Sequence, residues 1–276
     1  MHRKRILLIA VSLLLMALVG DLGRQAYALA QQDRLNHALI VAIKQNSTKK
    51  ALALLAAGAD PNSRDEPPKH RSLWWLLLKK LSGKRLTASD AHTALLLACS
   101  SNDEMGTDYP DNPVLVKALL DRGADLEAKD TTQRTPLFRA AARNKTQVCT
   151  LLLDRGARVN VADTRGLTPL MIAARNNNRV LVRQLLNKGA DVNAVGYTLL
   201  GCCLTPLIEA QWAQEDDPTI TEMLLESGAN VNGPDAPLAS RMGTPLTAAV
   251  EHHQPRKIRT LLQHGAQVNP PIRSGC

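Results

Sequence analysis

Large rings are scarce in this chain: one phenylalanine, three tyrosines and three tryptophans among 276 residues. A core of that composition must be built from small and aliphatic side chains, and no stretch carries the alternating pattern of a sheet. Catalytic signatures are missing too, for the sequence contains no G-x-S-x-G, no H-E-x-x-H, no G-x-x-x-x-G-K-S/T and no G-x-G-x-x-G. The five cysteines, Cys99, Cys149, Cys202, Cys203 and Cys276, are odd in number and show no C-x-x-C spacing. They provide neither a disulfide framework nor a zinc site. Cys99 and Cys149 fall at core positions of the pattern described next, whereas Cys202, Cys203 and Cys276 are expected in loops. His252-His253, with Glu251 before them, lack further spaced ligands. No metal ion, cofactor or catalytic residue is implied, so function is expected on a surface.

What is present is a repeat. Gly-Ala occurs at Gly58, Gly123, Gly156, Gly189, Gly228 and Gly265, each time closing a leucine-rich run, at successive intervals of 65, 33, 33, 39 and 37 residues. Thr-Pro-Leu keeps step with it at Thr135, Thr168, Thr205 and Thr244, with Thr93-Ala94-Leu95 as a weaker copy. From Thr135 to Gly156, Thr168 to Gly189 and Thr244 to Gly265 the spacing is 21 each time. A period near 33 that tolerates insertions marks a helical repeat array.

The cleanest copy shows the physics. Thr168 can cap a helix whose first turn holds Pro169, where a missing N–H costs nothing. Leu170, Ala173 and Ala174 give this helix an apolar face with small residues, and Asn176-Asn177-Asn178 break it. Val180, Leu181, Leu185 and Leu186 are expected on one face of a second helix, which Gly189 ends in a left-handed conformation. Ala190 to Ala194 then swing out as a finger.

These residues resemble the ankyrin repeat family: Asp-x-x-Gly-x-Thr-Pro-Leu at the start, an Ala-Ala pair, and Leu-Leu-x-x-Gly-Ala-Asp-Val-Asn at the end. The resemblance covers about residues 36 to 269. It implies an all-α solenoid of stacked helix-turn-helix units with finger loops, a concave face that binds protein partners, and no reaction. On this frame the repeats lie at about 36–60, 92–125, 135–158, 168–191, 205–230 and 244–267, followed by a tail at 270–276. Terminal repeats are expected to be atypical because one side faces solvent.

Two segments stand outside the frame. Residues 66–91 are inserted into the first finger and contain Leu73-Trp74-Trp75-Leu76-Leu77-Leu78-Lys79-Lys80-Leu81. The plain expectation is an added helix packed on the array; the sharper ones are a membrane-interface helix or a partner anchor using Trp74, Trp75, Lys79 and Lys80. Residues 1–30 open with Arg3-Lys4-Arg5, then run apolar from Ile6 to Gly20 apart from Ser12. This is a secretory signal or an anchor. Ala26-Tyr27-Ala28 and Ala28-Leu29-Ala30 offer cleavage sites, but their distance from the apolar run tips the balance toward an uncleaved anchor. Either way the array is expected outside the cytoplasm, secreted or periplasmic if cleaved, because the basic flank stays inside.

The formal net charge is +9, of which +3 belongs to residues 1–30 and +4 to residues 64–92. Such local excess suits an acidic protein or an anionic membrane, and nucleic acid ranks last for want of a reading module. By the family's register the partner contacts are Thr131, Arg134, Arg143, Thr164, Arg165, Leu167, Arg175, Asn176, Trp212, Glu251 and His252. Arg and Trp dominate binding hot spots, which points to a partner with an acidic patch. Reversing Arg134, Arg143, Arg165 and Arg175 together is expected to abolish binding with helicity intact. The alternative function is lipid binding at a membrane surface through residues 69–86.

Overall fold

Threonine hydroxyls start the first helix of each regular repeat. Thr135, Thr168, Thr205 and Thr244 have extended backbones and accept from the N–H of Phe138, Met171, Ile208 and Thr247 at 3.2 to 3.4 Å. The following proline takes the first turn. Between the helices of a repeat the chain reverses through a residue at positive φ, Asn144 at 55°, Asn177 at 54° and His253 at 54°. Asparagine tolerates this left-handed geometry better than most side chains. Gly189, at φ 82°, ends its second helix as expected.

The computed structural model describes residues 2–65, 92–100, 111–198, 203–234 and 244–268, with side chains described from Gly20 on. Within them lie α1 (His2–Lys44), α2 (Thr48–Ala56), α3 (Ala94–Ser100), α4 (Pro113–Asp121), α5 (Pro136–Ala142), α6 (Thr146–Asp154), α7 (Pro169–Arg175) and α8 (Arg179–Asn187). Then follow β1 (Gly196–Tyr197), β2 (Cys203–Leu204), α9 (Pro206–Gln211), α10 (Thr219–Glu226), α11 (Pro245–Glu251) and α12 (Pro255–Gln263). Within a repeat the two helices pack on each other, and between neighbouring repeats odd-numbered helices pack on odd ones and even on even. One core runs through the stack from Leu39 in α1 to Leu261 in α12, lined by leucines and alanines, with Phe138 as its one fully buried ring among the described residues.

Several expectations need adjusting. Val180 is exposed, and Val182 takes its place beside Leu181 and Leu185 in the core. A sheet ladder, absent from the sequence reading, joins β1 to β2 antiparallel, Gly196 opposite Leu204 and Tyr197 opposite Cys203. It forms where the fourth finger is longer than regular, giving the extra chain backbone partners. Cys203 is therefore buried in a strand and not in an open loop, while Cys202 and Cys276 lie outside the described residues.

The stem of the insertion is closed by an Arg64–Thr93 bridge, with Asp65 N–H donating to His92 at 3.0 Å and Ala94 N–H to Ser63 at 2.9 Å. Residues 66–91, between the two sides of that stem, and residues 101–110 lie outside the described residues.

Nor does the backbone break at the expected boundary near residue 30: α1 continues from His2 to Lys44. Asn62, Asn160 and Asn193 each join neighbouring repeats by donating to the carbonyl of Gly123, Gly189 or Gly228 and accepting from the N–H two residues later. For repeat one the same two bonds come from α1, as Gln32 donates to Gly58 at 2.8 Å and Asn36 accepts from Asp60 N–H at 2.8 Å. The segment just before the first repeat thus caps the array. Among the described side chains no helix is long and apolar enough to cross a membrane, and residues 6–19, on which the anchor expectation mainly rests, lie outside them.

Four of the second helices are capped, in two ways. Asn112 and Asn178 cap α4 and α8 from their own chain position. Lys145 and Gln254 provide no such cap for α6 and α12. There the preceding repeat substitutes: Asp111 accepts from Gln147 and Val148 N–H at 2.6 and 3.2 Å, and Asp216 accepts from Arg256 and Lys257 N–H at 3.0 to 3.1 Å. Carboxylates also suit the positive end of a helix. Replacing Asp111 with alanine should cost about 1 kcal/mol. Because the bond crosses between repeats, it should also broaden the urea transition. Equilibrium unfolding followed by circular dichroism checks both, and an unchanged midpoint would remove the cap from the account.

Candidate functional site

Finger bases and first helices meet along the face that carries the expected contacts. Asp130 and Asp163 sit at equivalent finger positions, both buried. One oxygen of Asp130 accepts from Thr132 N–H and hydroxyl and from Arg134 N–H at 2.7 to 2.9 Å; the other accepts from Arg139 Nε and Nη2 at 2.9 and 2.7 Å. Burial works against the Asp130 carboxylate, but these donors hold its pKa below the usual value. Arg139 also contacts His92, which ties the exit of the insertion to this pair.

In the next finger Asp163 accepts from Arg165 and Leu167 N–H at 2.8 and 3.0 Å. Its second oxygen faces Arg134 Nε at 3.5 Å and Arg165 Nε at 3.8 Å. The Arg134 guanidinium also lies over the Phe138 ring at 5.4 Å. One repeat further on, Arg175 grips both oxygens of Glu209, Nε donating to Oε2 at 2.5 Å and Nη2 to Oε1 at 2.6 Å. Glu209 is fully buried, and that burial pushes its pKa up despite Arg175 and Arg165. The Arg175 guanidinium lies over Trp212 at 5.4 Å, and Trp212 meets His252 with ring centroids 6.5 Å apart and a 56° tilt. A cation over an indole face gains from the ring quadrupole.

The expected contacts divide accordingly. Thr131 and Thr164 are exposed in the fingers; Arg143, Asn176 and His252 are exposed C-caps of α5, α7 and α11, and Glu251 is exposed beside the last. Asn176 donates to Ala141 of the preceding repeat at 3.0 Å. Arg134, Arg165, Arg175 and Trp212 are half-buried. Leu167 must be struck from the contact set: it is 1% exposed, a core residue packed near Gly196. Trp74, Trp75, Lys79 and Lys80 lie outside the described residues.

The four-arginine reversal also needs correcting. A carboxylate at position 175 would face buried Glu209, so helicity would not survive intact. Asp130, Asp163, Glu209 and Arg139 were not anticipated as members of this face. Their signal was available in register: Glu209 and Arg139 stand where the cleanest repeat has Ile172, a charge in an apolar slot.

Cys99 and Cys149 are buried as expected; burial pushes the Cys99 thiol up to about 12 and that of Cys149 well above its usual value. Neither is a thiolate near neutral pH. Among the described residues no group of His, Cys, Asp and Glu could hold a metal ion.

A family model described as ankyrin repeats (3 copies) matches residues 69–163, 107–196 and 161–235. Together the matches run from 69 to 235, which is 167 of 276 residues. The chain belongs to the ankyrin repeat family. Ankyrin repeats generally mediate protein–protein interaction. No curated protein is found to match this ankyrin chain.

Proposed function

We propose that this ankyrin array is a non-enzymatic scaffold or inhibitor that holds an acidic region of a protein partner in its concave groove, outside the cytoplasm. The observation that carries the reading is the line of half-exposed arginines from Arg134 to Arg175, held in place by buried carboxylates beside exposed Arg143 and His252. Groups fixed before binding lose less freedom when a partner arrives. Support for the location comes from the basic-then-apolar start of the chain, and the unbroken α1 favours an anchor that stays attached to the array. In that arrangement α1 is the stalk on which the array stands.

The test is capture of native membrane and envelope proteins on the full-length protein in zwitterionic detergent, with an R143E/H252A variant as control. Both replaced side chains are exposed, so circular dichroism should be unchanged. A protein enriched by the wild type and lost by the variant is the expected result. Equal retention by both would sink the groove reading. Recovery of lipid alone, abolished by W74A/W75A, would favour binding at the lipid surface through residues 69–86.

A further inference from the structure

Three guanidiniums share two buried carboxylates at the centre of the array. Asp163, 1% exposed at its side chain, lies 3.5 Å from Arg134 and 3.8 Å from Arg165. Glu209, 0% exposed, accepts from Nε and Nη2 of Arg175 and also feels the charge of Arg165. Three positive groups against two negative ones leave at least one positive charge in excess. That excess is not spread evenly. Arg175 has its carboxylate in a bidentate grip and its face on Trp212, so its charge is matched and its geometry fixed. Arg134 and Arg165 must divide Asp163 between them, and neither side chain donates a hydrogen bond to it. Arg134 Nε and Asp163 Oδ2 are buried atoms with no hydrogen-bond partner among the described residues.

The two arginines come from adjacent fingers that are themselves joined, with Thr164 N–H donating to Thr132 at 3.0 Å. Tyr197 N–H, in the next finger, donates to the Arg165 carbonyl at 2.8 Å. Their backbone positions are therefore set by the array. The side chains remain about one-third open to solvent, at 35% and 36%. Exposed Thr131 and Thr164 flank them with hydroxyls.

We infer that Arg134 and Arg165 form an oxyanion-binding point on the second and third fingers, which takes a carboxylate side chain of the partner. A guanidinium presents paired N–H donors that match the two oxygens of a carboxylate, and charge-assisted bonds of this kind are among the stronger polar contacts. A second carboxylate beside Asp163 would restore one acid per base. This deepens the groove reading by naming the chemistry at one place in it, and it assigns Arg175, the third cation of the row, to positioning.

The experiment is fluorescence anisotropy of a labelled hexaglutamate peptide, blocked at both termini, titrated with the full-length protein in zwitterionic detergent. Three proteins are compared: wild type, R134Q/R165Q, and R155Q/K188Q. The last removes two cations from the second-helix side, where Arg155 and Lys188 pair with Asp121 and Asp154 of the repeat before each. Hexaglutamate binding should weaken by about tenfold or more in R134Q/R165Q, the loss expected for bonds to a charged group. It should change little in R155Q/K188Q. Equal weakening by both pairs would mean attraction to net charge alone and would overturn the inference. If R134Q/R165Q fails to melt cooperatively, R165Q alone keeps Arg134 on Asp163 and must still weaken binding relative to R155Q/K188Q; no loss there also overturns it. A captured partner lost by R143E/H252A but retained undiminished by R134Q/R165Q would overturn this inference and leave the groove reading standing.

Discussion

Arg175→Ala should destabilise the junction of repeats four and five by about 3 kcal/mol near neutral pH, the low end of what breaking one side of a buried ion pair costs. The low end applies because Arg175 is itself 37% exposed, whereas Glu209 is 0% exposed and bears the whole desolvation penalty once its partner is gone. A partner replacement separates loss of the pair from loss of packing. Glu209 stands in the slot that Ile172 fills one repeat earlier, so Glu209→Ile introduces a side chain the fold already accommodates there. In that background Arg175→Ala should cost little beyond its contact with Trp212. Replacing a buried pair with apolar groups is often neutral, while halving it is not.

The same prediction has a pH signature. Burial raises the pKa of Glu209 above its usual 4.5, so the folded state binds that proton more readily than the unfolded state. This group's contribution is therefore greatest at low pH and falls as pH rises through 4.5 and the folded value. Removing Arg175 raises the folded value further, so the gap between wild type and Arg175→Ala should be small near pH 4 and widen toward pH 7. Urea unfolding at both pH values reads this directly. A gap independent of pH would show that Glu209 does not sense the arginine.

Lys257→Met should be stabilising near neutral pH, with an advantage that shrinks as pH rises from about 8 to 10.5. Lys257 is 2% exposed in α12, in the slot held by Val148 and Leu181 in repeats three and four. Its Nζ donates to Ala210 at 2.8 Å and to Ala213 at 3.4 Å, carbonyls at the end of α9 and just beyond it. Burial lowers its pKa from 10.5 to about 8, although Asp216 and Glu215 favour the charged form.

Between those values the unfolded chain holds the proton and the folded chain does not, so stability rises with pH across that window and is level below it. At about 1.4 kcal/mol per pKa unit the window is worth about 3 kcal/mol. Methionine carries no proton and fits an apolar slot, at the loss of the bond to Ala210; Ala213 keeps a donor in Gln254 at 2.6 Å. Thermal melts of the two proteins from pH 7 to 10.5 give the difference curve. A flat difference would mean that the ammonium is solvated in the folded state.

These two sites also show how far the primary structure could be read. The repeat itself was legible because each unit depends on local chemistry: a threonine that caps, a proline in the first turn, a glycine that ends the second helix. Those positions behave as expected at Thr168, Pro169 and Gly189. Burial of Cys99 and Cys149 followed from register alone. Thr131, Thr164, Asn176 and His252, which register assigned to the partner face, are exposed. It failed at Leu167 because the finger folds that side chain inward against its neighbour, a contact between segments that no single repeat contains.

By itself, then, the order of residues determined the unit, its period, its family and the helical character of the stack, since all of these rest on interactions within about one repeat. Tertiary structure decided which charges are available. Asp111 and Asp216 cap helices of the following repeat, Asn36 and Gln32 stand in for a missing finger, and Glu209 takes up an arginine that the linear pattern offered to a partner. Each is a bond between segments whose members lie 24 to 41 residues apart. Charge and hydrogen bonding act through space, and only the stacking of the repeats sets those distances.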